Sequence, residues 1–364
     1  MNKIFIILFI LFIQSYECFK LSRYNFIRNN LIHFTLNSKN VLNPIKYNNA
    51  LIISCNKIGK QVALDLKQLN IKTSVATTKS QKINNLKTLV NEVILIPQIE
   101  INNDEIMRNA IYDNDIIIIA DTISIFSIHS YVRTCKRITN AFSYKNNKKK
   151  LIILISNINV YGFHTDGNVV NELSEINNYN NNYYNKLNEN WQINHIAIAK
   201  LMRIGENLLL DLMNNNDKIR TVVLRTSTII DHDWINDIKN RDFTNKNYTK
   251  EIGNSYMSIS LTEEISNCIK WILLNDNIKG IFNLVSNSYK RRYFYDKLFD
   301  IIHKKKINWI NDNLNELNID YYYSMDENPL LPNSQRFNMK VDYYKILKNG
   351  YKFKYKDIWK YDFE

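Results

Sequence analysis

The chain has 364 residues, of which 45% are hydrophobic, and a formal net charge of +13 at pH 7. This length and apolar content suffice for one large α/β domain, or for one such domain with a smaller lobe. No disulfide framework, zinc site or other metal site is expected, because the cysteines are far apart and lack metal-ligand spacing, which fits a reducing compartment. They are Cys18, Cys55, Cys135 and Cys268.

The first 48 residues have the pattern of a removable leader. Ile4–Ile13 is an unbroken apolar run, the length of a signal-peptide core and about half of a membrane span. A basic stretch follows, and no Asp or Glu occurs between Glu17 and Asp65, as is typical of transit peptides. The whole resembles the bipartite leader of proteins sent to an apicoplast-type plastid through the secretory pathway. A secreted protein and an N-terminal anchor are the alternatives, and no membrane segment is expected in the mature form.

The charge of the remaining chain leaves two interpretations open. After residue 49 there are 42 basic and 34 acidic residues, a net charge of +8. A basic body favours phosphate-bearing ligands or nucleic acid. The alternative is a solvated lysine-rich surface, since the lysines are spread along the chain rather than clustered. The asparagine-rich segment Asn177–Asn185 is predicted to be a low-complexity loop or insert.

From residue 50 onward, short β-rich runs alternate with helical periodicity. In the first predicted helix, Lys57–Leu69, the residues Ile58, Val62, Leu66 and Leu69 recur on one face. Strands that are apolar throughout and separated by helices predict a parallel sheet covered on both faces, and right-handed crossovers make it a Rossmann-type doubly wound sheet. The predicted strands are Ala50–Ser54, Lys72–Thr77, Glu92–Pro97, Asp115–Ala120, Lys150–Ile155 and Arg220–Thr226, with further helices over Ser124–Ala141 and Trp191–Met213.

The first strand–helix junction is where such folds hold the pyrophosphate of a dinucleotide. A G-x-G-x-x-G pattern would place glycines at 54, 56 and 59, where this chain has Ser54, Asn56 and Gly59. Gly59 allows the helix to pack closely on the strand, and Asn tolerates a left-handed backbone better than most residues. We expect weakened binding here; a core that has lost its cofactor is the alternative, and an Asn56 or Lys57 side chain filling the pyrophosphate position would produce it. The predicted loop ligands are Ser54, Asn56, Lys57, Ile58 and Gly59.

Residues after the second and fourth strands complete the set of residues predicted to bind the cofactor. Thr78 and Lys79 stand where an acidic residue would accept the ribose hydroxyls of NAD. Lys79 is suited instead to the 2′-phosphate of NADP, which favours NADP over NAD, although a plain surface lysine is the alternative. Ala120 and Asp121 are included because ligands of doubly wound sheets bind at the carboxyl ends of the strands.

An ordered set of segments resembles the extended short-chain dehydrogenases. Ile155–Gly162 resembles the S-S-x-x-V-Y-G motif that ends the fifth strand, and Val170–Glu172 resembles the turn that follows it. Trp191–Leu210 is similar to the catalytic-helix region of that family. The remaining segments are Val223–Ile230, which resembles v-L-R-P-x-x-I-Y, Gly280–Val285, which resembles G-x-Y-N-v-v, and Gln335–Asn338, which resembles the C-terminal R-v-x-N element.

Together these segments are most similar to an atypical, GLGYIG-type branch of the NAD-dependent epimerase/dehydratase family. The resemblance covers most of residues 50–355. It implies a Rossmann core over residues 49–230 and a small C-terminal substrate lobe over residues 231–364, interleaved with the core. It also implies binding of NAD or NADP and, by analogy, a homodimer formed through the fourth-segment and catalytic helices.

The family's acid–base chemistry rests on a Tyr-x-x-x-Lys pair, in which the lysine lowers the pKa of the tyrosine. Alignment on Glu206 places Ile198 and Met202 at these two positions, and alignment on Lys200 places Ile196 at the tyrosine position. Neither alignment supplies a phenol. The resemblance therefore implies that the usual proton donor is missing.

Other residues are candidates for the proton donor or for orienting a substrate. His164 follows the V-Y-G turn and His195 lies on the catalytic-region helix, so either could replace a tyrosine as proton donor, with a solvated or capped histidine as the alternative. Asn157 takes the Ser/Thr position at the end of the fifth strand, and Lys200 is the lysine of that helix. We expect Tyr161 to pack under its loop rather than react. Arg225 is predicted to brace its strand end.

Three functions remain open from the sequence, and the small-molecule substrate is unknown. The first is an NAD(P)-binding protein of the epimerase/dehydratase type in a plastid, catalytically degenerate because the tyrosine and two glycines are missing. The second is an active NADP-dependent oxidoreductase or epimerase with a non-tyrosine proton donor. The third is an RNA-associated plastid scaffold protein, whose binding would weaken steeply with salt.

Overall fold

A computed structural model describes residues 46–96, 105–121, 128–142, 148–162, 167–176, 189–240, 248–249, 255–303, 309–310 and 338–361. The chain divides into Met1–Ile45 and Lys46–Glu364. The first unit, which contains nearly all of the predicted leader, lies outside the described residues, as does Asn177–Asn185. None of the helices in the described ranges has the length and apolarity needed to cross a membrane.

The strands of the second unit are taken in chain order. They are β1 (Asn49–Ile53), β2 (Lys72–Thr77), β3 (Glu92–Leu95), β4 (Ile116–Ile119), β5 (Lys150–Asn157), β6 (Val169–Val170), β7 (Ile219–Thr226), β8 (Thr228–Ile230), β9 (Tyr248–Thr249), β10 (Tyr256–Leu261), β11 (Gly280–Leu284), β12 (Asn287–Lys290), β13 (Trp309–Ile310) and β14 (Lys340–Val341).

The α-helices alternate with these strands. They are α1 (Lys57–Gln68), α2 (Ile83–Lys87), α3 (Glu105–Asp113), α4 (Ile128–Phe142), α5 (Glu189–Asn214), α6 (His232–Asn240), α7 (Thr262–Leu274), α8 (Arg291–His303) and α9 (Tyr344–Lys348).

The central sheet has the order β3-β2-β1-β4-β5-β7-β11, and all its strands are parallel. The first strand, β1, lies inside the sheet, and later strands are added on both sides of it. The prediction of a Rossmann-type doubly wound α/β sheet is therefore confirmed. The side chains of β4 are all isoleucine and are completely buried. Helices cover both faces, with α1 packed on α7 and α4 packed on α5. This covering explains why β4, in the middle of the sheet, is apolar throughout rather than alternating.

The second half of the chain contributes to the central sheet as well as forming a lobe of its own. Strand β11, from the predicted C-terminal lobe, pairs in parallel with β7 at the edge of the central sheet. A smaller sheet has the order β12-β10-β8, with β12 antiparallel and β8 parallel to β10. Its core includes Ile235 and Ile238 of α6 together with Phe294 and Leu298 of α8.

Several predicted strand bounds differ by one or two residues from the observed ones, including the ends of β3 at Leu95 and β4 at Ile119, and two of the differences bear on the site. Strand β1 ends at Ile53 rather than Ser54, because Ser54 has a left-handed backbone with φ of 64° and leaves the sheet. Strand β5 runs two residues further than predicted, to Asn157, since Ser156 and Asn157 pair with Arg225 and Thr226 of β7. This extension places Asn157 at the carboxyl edge of the sheet.

Candidate functional site

The loop between β1 and α1 keeps the backbone shape that a glycine-rich loop needs. Ser54, at the first glycine position, has φ of 64° and donates its N–H to the carbonyl of Ala76 on β2 at 3.1 Å. Asn56 N–H then donates to the carbonyl of Ser54 at 3.1 Å, which closes a tight bend. A left-handed conformation costs a non-glycine residue about 1 kcal/mol or more, so serine holds this shape under strain.

Gly59 marks the closest approach of α1 to the sheet. A Cβ atom built on Gly59 would lie 3.2 Å from the carbonyl oxygen of Ser54, 3.4 Å from Ile52 Cγ2 and 3.5 Å from Ala120 Cβ. Ala120 is itself completely buried, and its N–H donates to the carbonyl of Ile53 at 3.0 Å. The third glycine of the pattern therefore has its usual packing role, and Ala120 is one of the residues that require it.

The start of α1 presents backbone donors at this edge of the sheet. Asn56 is the N-cap, and its Oδ1 accepts the N–H of Gly59 at 3.1 Å. Within the described ranges, no acceptor contacts the N–H of Lys57 or Ile58. The Asn56 side chain thus occupies one N–H group at the start of α1, that of Gly59, and leaves those of Lys57 and Ile58. The dipole of α1 favours an anion at this end of the helix.

The side chain of Lys57 is held by two aspartates at the start of α6. Its Nζ lies 3.0 Å from Asp233 Oδ2 and 3.4 Å from Asp231 Oδ2. Burial opposes the charge on Lys57, but the hydrogen bond to Asp233 and the charges of both aspartates outweigh it and raise the pKa of Lys57. The phosphate loop is therefore tied to the segment that follows β8.

The other predicted cofactor residues lie at the same edge of the sheet. Thr78 and Lys79 follow β2 and are exposed, and the N–H of Lys79 donates to Thr77 Oγ1 at 3.2 Å. Asp121 follows Ala120 after β4 and is half-buried. Because β2, β1 and β4 are adjacent and parallel, their carboxyl ends bring these residues alongside the loop.

The tyrosine and lysine positions of the family are filled by core residues. On α5, Ile198 is 6% exposed and Met202 is completely buried, and both belong to the main hydrophobic core. Neither side chain can exchange a proton. The alternative alignment leaves Ile196 half-buried and Lys200 exposed.

The remaining proton-donor candidates are not assembled into one site by the described residues. Asn157 Oδ1 accepts the N–H of Asn159 at 2.9 Å and caps a short 3-10 turn, so its side chain has a structural role. His164 lies outside the described residues, and so does the side chain of His195. In the part of the chain that is described, no group of His, Cys, Asp and Glu could hold a metal ion.

A buried ion pair beneath the carboxyl edge was not foreseen from the sequence. Glu206 on α5 and Arg225 on β7 are both 0% exposed, with Arg225 Nη2 at 2.6 Å from Glu206 Oε2 and Nε at 3.1 Å from Oε1. Burial opposes the charge on Arg225, but Glu206 outweighs it and raises the pKa of Arg225 above its ordinary value. Ser156 Oγ donates to Glu206 Oε1 at 2.6 Å. The sequence signal was a charged residue beside an apolar run in each segment, Glu206 before Leu208–Leu210 and Arg225 after Val222–Leu224.

The same arginine connects the turn after β5 to the end of β11. Arg225 Nη1 donates to Tyr161 Oη at 3.0 Å and to the carbonyl of Glu172 at 3.2 Å. Tyr161 Oη donates to Asn283 Oδ1, and Asn283 N–H donates to Glu172 Oε1 at 2.8 Å. Burial raises the pKa of Tyr161. These contacts agree with the predicted packing role of Tyr161 and bracing role of Arg225.

The sheet order and the loop geometry define a Rossmann-type doubly wound α/β fold. Solved structures with this fold match the chain. Vestitone reductase from alfalfa (Medicago sativa) has a TM-score of 0.58 at 12% identity, covering 85% of this chain and 94% of that one. A human epimerase family protein solved with NADPH has a TM-score of 0.56 at 10% identity, covering 85% and 96%.

A third match is a conserved protein of unknown function from Silicibacter pomeroyi, with a TM-score of 0.57 at 10% identity, covering 85% and 95%. No protein-family model and no curated protein sequence match the chain. At these identities the matches establish the shared fold. They bear out the Rossmann-type α/β architecture that the sequence predicted.

Proposed function

We propose that this chain binds a nicotinamide dinucleotide on the Ser54–Gly59 loop and does so without the tyrosine-based proton transfer of the dehydrogenase family that its motifs resemble. The observation that carries the proposal is the backbone of the loop. Ser54 adopts the left-handed conformation of the first glycine, and Gly59 approaches β1 so closely that a Cβ would meet the carbonyl of Ser54 at 3.2 Å. Both features are ones that a pyrophosphate-binding loop requires at this place in the fold.

The chemistry at the loop suits a pyrophosphate. The N–H groups of Lys57 and Ile58 offer two donors, and the α1 dipole adds a favourable field. The Asn56 cap occupies a third donor, the N–H of Gly59, so we expect weaker binding than a glycine-rich loop would give. Lys79 stands exposed at the end of the neighbouring strand, where a cation favours the 2′-phosphate of NADP.

The catalytic part of the proposal rests on α5. The burial of Ile198 and Met202 removes the phenol and the ammonium that would exchange and stabilise a proton. Binding without turnover is therefore the function that the described residues support best. The human relative is described as solved with NADPH, which agrees with a nicotinamide ligand for this fold.

Titration calorimetry and thermal unfolding with NADPH and with NADH test the binding. Ligand at a hundred times its dissociation constant adds about 2.7 kcal/mol of stability. Asn56→Gly restores the second glycine and costs the helix cap only a few tenths of a kcal/mol, so we expect it to bind more tightly. Asn70→Gly is the control for an asparagine-to-glycine change at the far end of α1, although the backbones differ, with φ of 58° at Asn70 and −83° at Asn56.

The outcomes of these measurements distinguish dinucleotide binding from catalysis. No heat and no shift with either dinucleotide at millimolar concentration, in the wild type and in Asn56→Gly alike, would refute binding. Lys79→Ala should weaken NADPH more than NADH, whereas Lys82→Ala, also exposed and three residues further on, should affect neither. Consumption of NADPH in the presence of carbonyl substrates would refute the non-catalytic part alone.

The cellular destination is a separate part of the proposal and rests on the leader. The ten apolar residues Ile4–Ile13 and the acid-free basic stretch after Glu17 support delivery to an apicoplast-type plastid. Residues 1–48 fused to a fluorescent protein should accumulate in the plastid. Secretion of that fusion would support the alternative destination.

A further inference from the structure

Lys57 occupies an unusual position for a charged side chain. It is the first residue of α1, directly after the N-cap Asn56, so its stem starts at the helix end that would face a phosphate. Its ammonium is nevertheless held by Asp231 and Asp233, at 3.4 and 3.0 Å. The phosphate loop of the central sheet and the first turn of α6 are thus joined by a single side chain.

The two aspartates are not equivalent. Asp231 Oδ1 accepts the N–H of Trp234 at 2.7 Å and caps α6, and its side chain is only 17% exposed. Asp233 makes the shorter contact to Lys57, but its side chain is 72% exposed and that of Lys57 is 56% exposed. Exposed ion pairs are weak, so the contact with Asp233 is one that a stronger anion can displace.

The start of α6 leads into the core of the second lobe. The ring of Trp234 lies 6.4 Å from that of Phe294 on α8, and the next residue, Ile235, is buried in the same core. Forming or breaking the ion pairs of Asp231 and Asp233 with Lys57 therefore affects the lobe that is expected to hold the substrate.

We propose that Lys57 is an anion-operated latch, tied to Asp231 and Asp233 in the free chain and transferred to the pyrophosphate when a dinucleotide occupies the start of α1. This inference rests on the proposed function, because it requires an anion at that helix end. The pyrophosphate carries two negative charges next to the N–H groups of Lys57 and Ile58, and its charge-assisted contact with Lys57 competes with a weak ion pair to the exposed Asp233. Transfer of Lys57 releases the first turn of α6, so that cofactor occupancy is signalled to the second lobe.

A double-mutant cycle with NADPH binding as the readout tests the latch. Asp233→Asn removes the closer of the two carboxylates that hold Lys57 and leaves Asp231, and we expect about two- to fivefold tighter binding, the range that an exposed ion pair supplies. Lys57→Met should weaken binding. In the Lys57→Met background, the gain from Asp233→Asn should shrink, because no ammonium remains to be released.

Controls and a second measurement distinguish the latch from simple charge repulsion. Lys67→Met, at the exposed far end of α1, and Asp300→Asn, exposed on α8, should leave the dissociation constant unchanged. Equal gains from Asp233→Asn in the wild-type and Lys57→Met backgrounds would show repulsion alone and overturn the latch. In hydrogen exchange, NADPH should protect the amides of Lys57 and Ile58 while it speeds exchange at Trp234.

The two proposals fail in different ways. Absence of NADPH binding in every variant, with no protection at Lys57 and Ile58, would refute the proposed function and with it the latch. Binding and protection at the loop together with equal or greater protection at Trp234 would leave the proposed function standing and overturn the latch.

Discussion

Removal of the buried carboxylate of Glu206 should destabilise the protein strongly. In Glu206→Leu, the Arg225 guanidinium stays 0% exposed but keeps only neutral partners, the hydroxyl of Tyr161 and the carbonyl of Glu172. An uncompensated buried charge costs about 3–5 kcal/mol. Ser156 Oγ also loses its acceptor, which adds a further penalty of about 1–3 kcal/mol if no other partner is found. We therefore expect a loss of at least about 3 kcal/mol in the free energy of unfolding.

The double variant Glu206→Leu/Arg225→Met should cost much less than the two single changes together. With both charges gone, no ion is left unpaired in the core, and replacing a buried pair by apolar residues is often close to neutral. Here the partners of the pair, including Tyr161 and Ser156, still lose contacts, so we expect a net loss of about 0–3 kcal/mol. The coupling between Glu206 and Arg225 is then several kcal/mol.

Urea unfolding followed by circular dichroism measures these differences as shifts of the transition midpoint at an unchanged slope. Asp211→Leu is the matched control, an exposed acid on the same helix, and should change stability by less than about 0.5 kcal/mol. If Glu206→Leu alone cost under about 1 kcal/mol, or the double variant cost as much as the sum of the singles, the assignment of a tightly coupled buried pair would be wrong.

Two further changes test the loop and the C-terminal segment. Ser54→Gly should raise the free energy of unfolding by up to about 1 kcal/mol, because glycine adopts the left-handed backbone of this position without strain. The greater freedom of glycine in the unfolded chain offsets part of this gain. A clearly lower melting temperature for Ser54→Gly would contradict this prediction. Glu264 accepts from Tyr351 Oη at 2.6 Å and from Tyr355 N–H at 2.7 Å, and burial raises its pKa. The pKa of Glu264 in the folded protein is therefore above its unfolded value of about 4.3, so protonation of Glu264 favours the folded state. The stability that protonated Glu264 contributes is complete below about pH 4.3 and is lost as the pH rises through the raised pKa. In urea midpoints, the wild type should thus lose stability relative to Glu264→Gln as the pH rises above about 4.3, and a relative gain would refute the sign.

The sequence alone determined the sheet and the position of the loop. The isoleucine run Ile116–Ile119 and the helical periodicity of Lys57–Leu69 report burial and helix phase, which are local properties of the chain. Alternation of such segments left a doubly wound parallel sheet as the arrangement in which both faces are covered. The loop then followed from its place after the first strand, since ligands of these sheets bind at that edge.

Only the tertiary structure decided which side chains meet. That Lys57 contacts Asp233, and that Glu206 pairs with Arg225, depends on elements far apart in sequence, and charge in a segment does not identify its partner. The backbone of Ser54 was likewise decided by its hydrogen bond to Ala76 on β2, which imposes a left-handed conformation that serine does not favour by itself. Periodicity records how deeply a residue is buried, whereas the packing of distant elements sets the neighbours it contacts and the strain it carries.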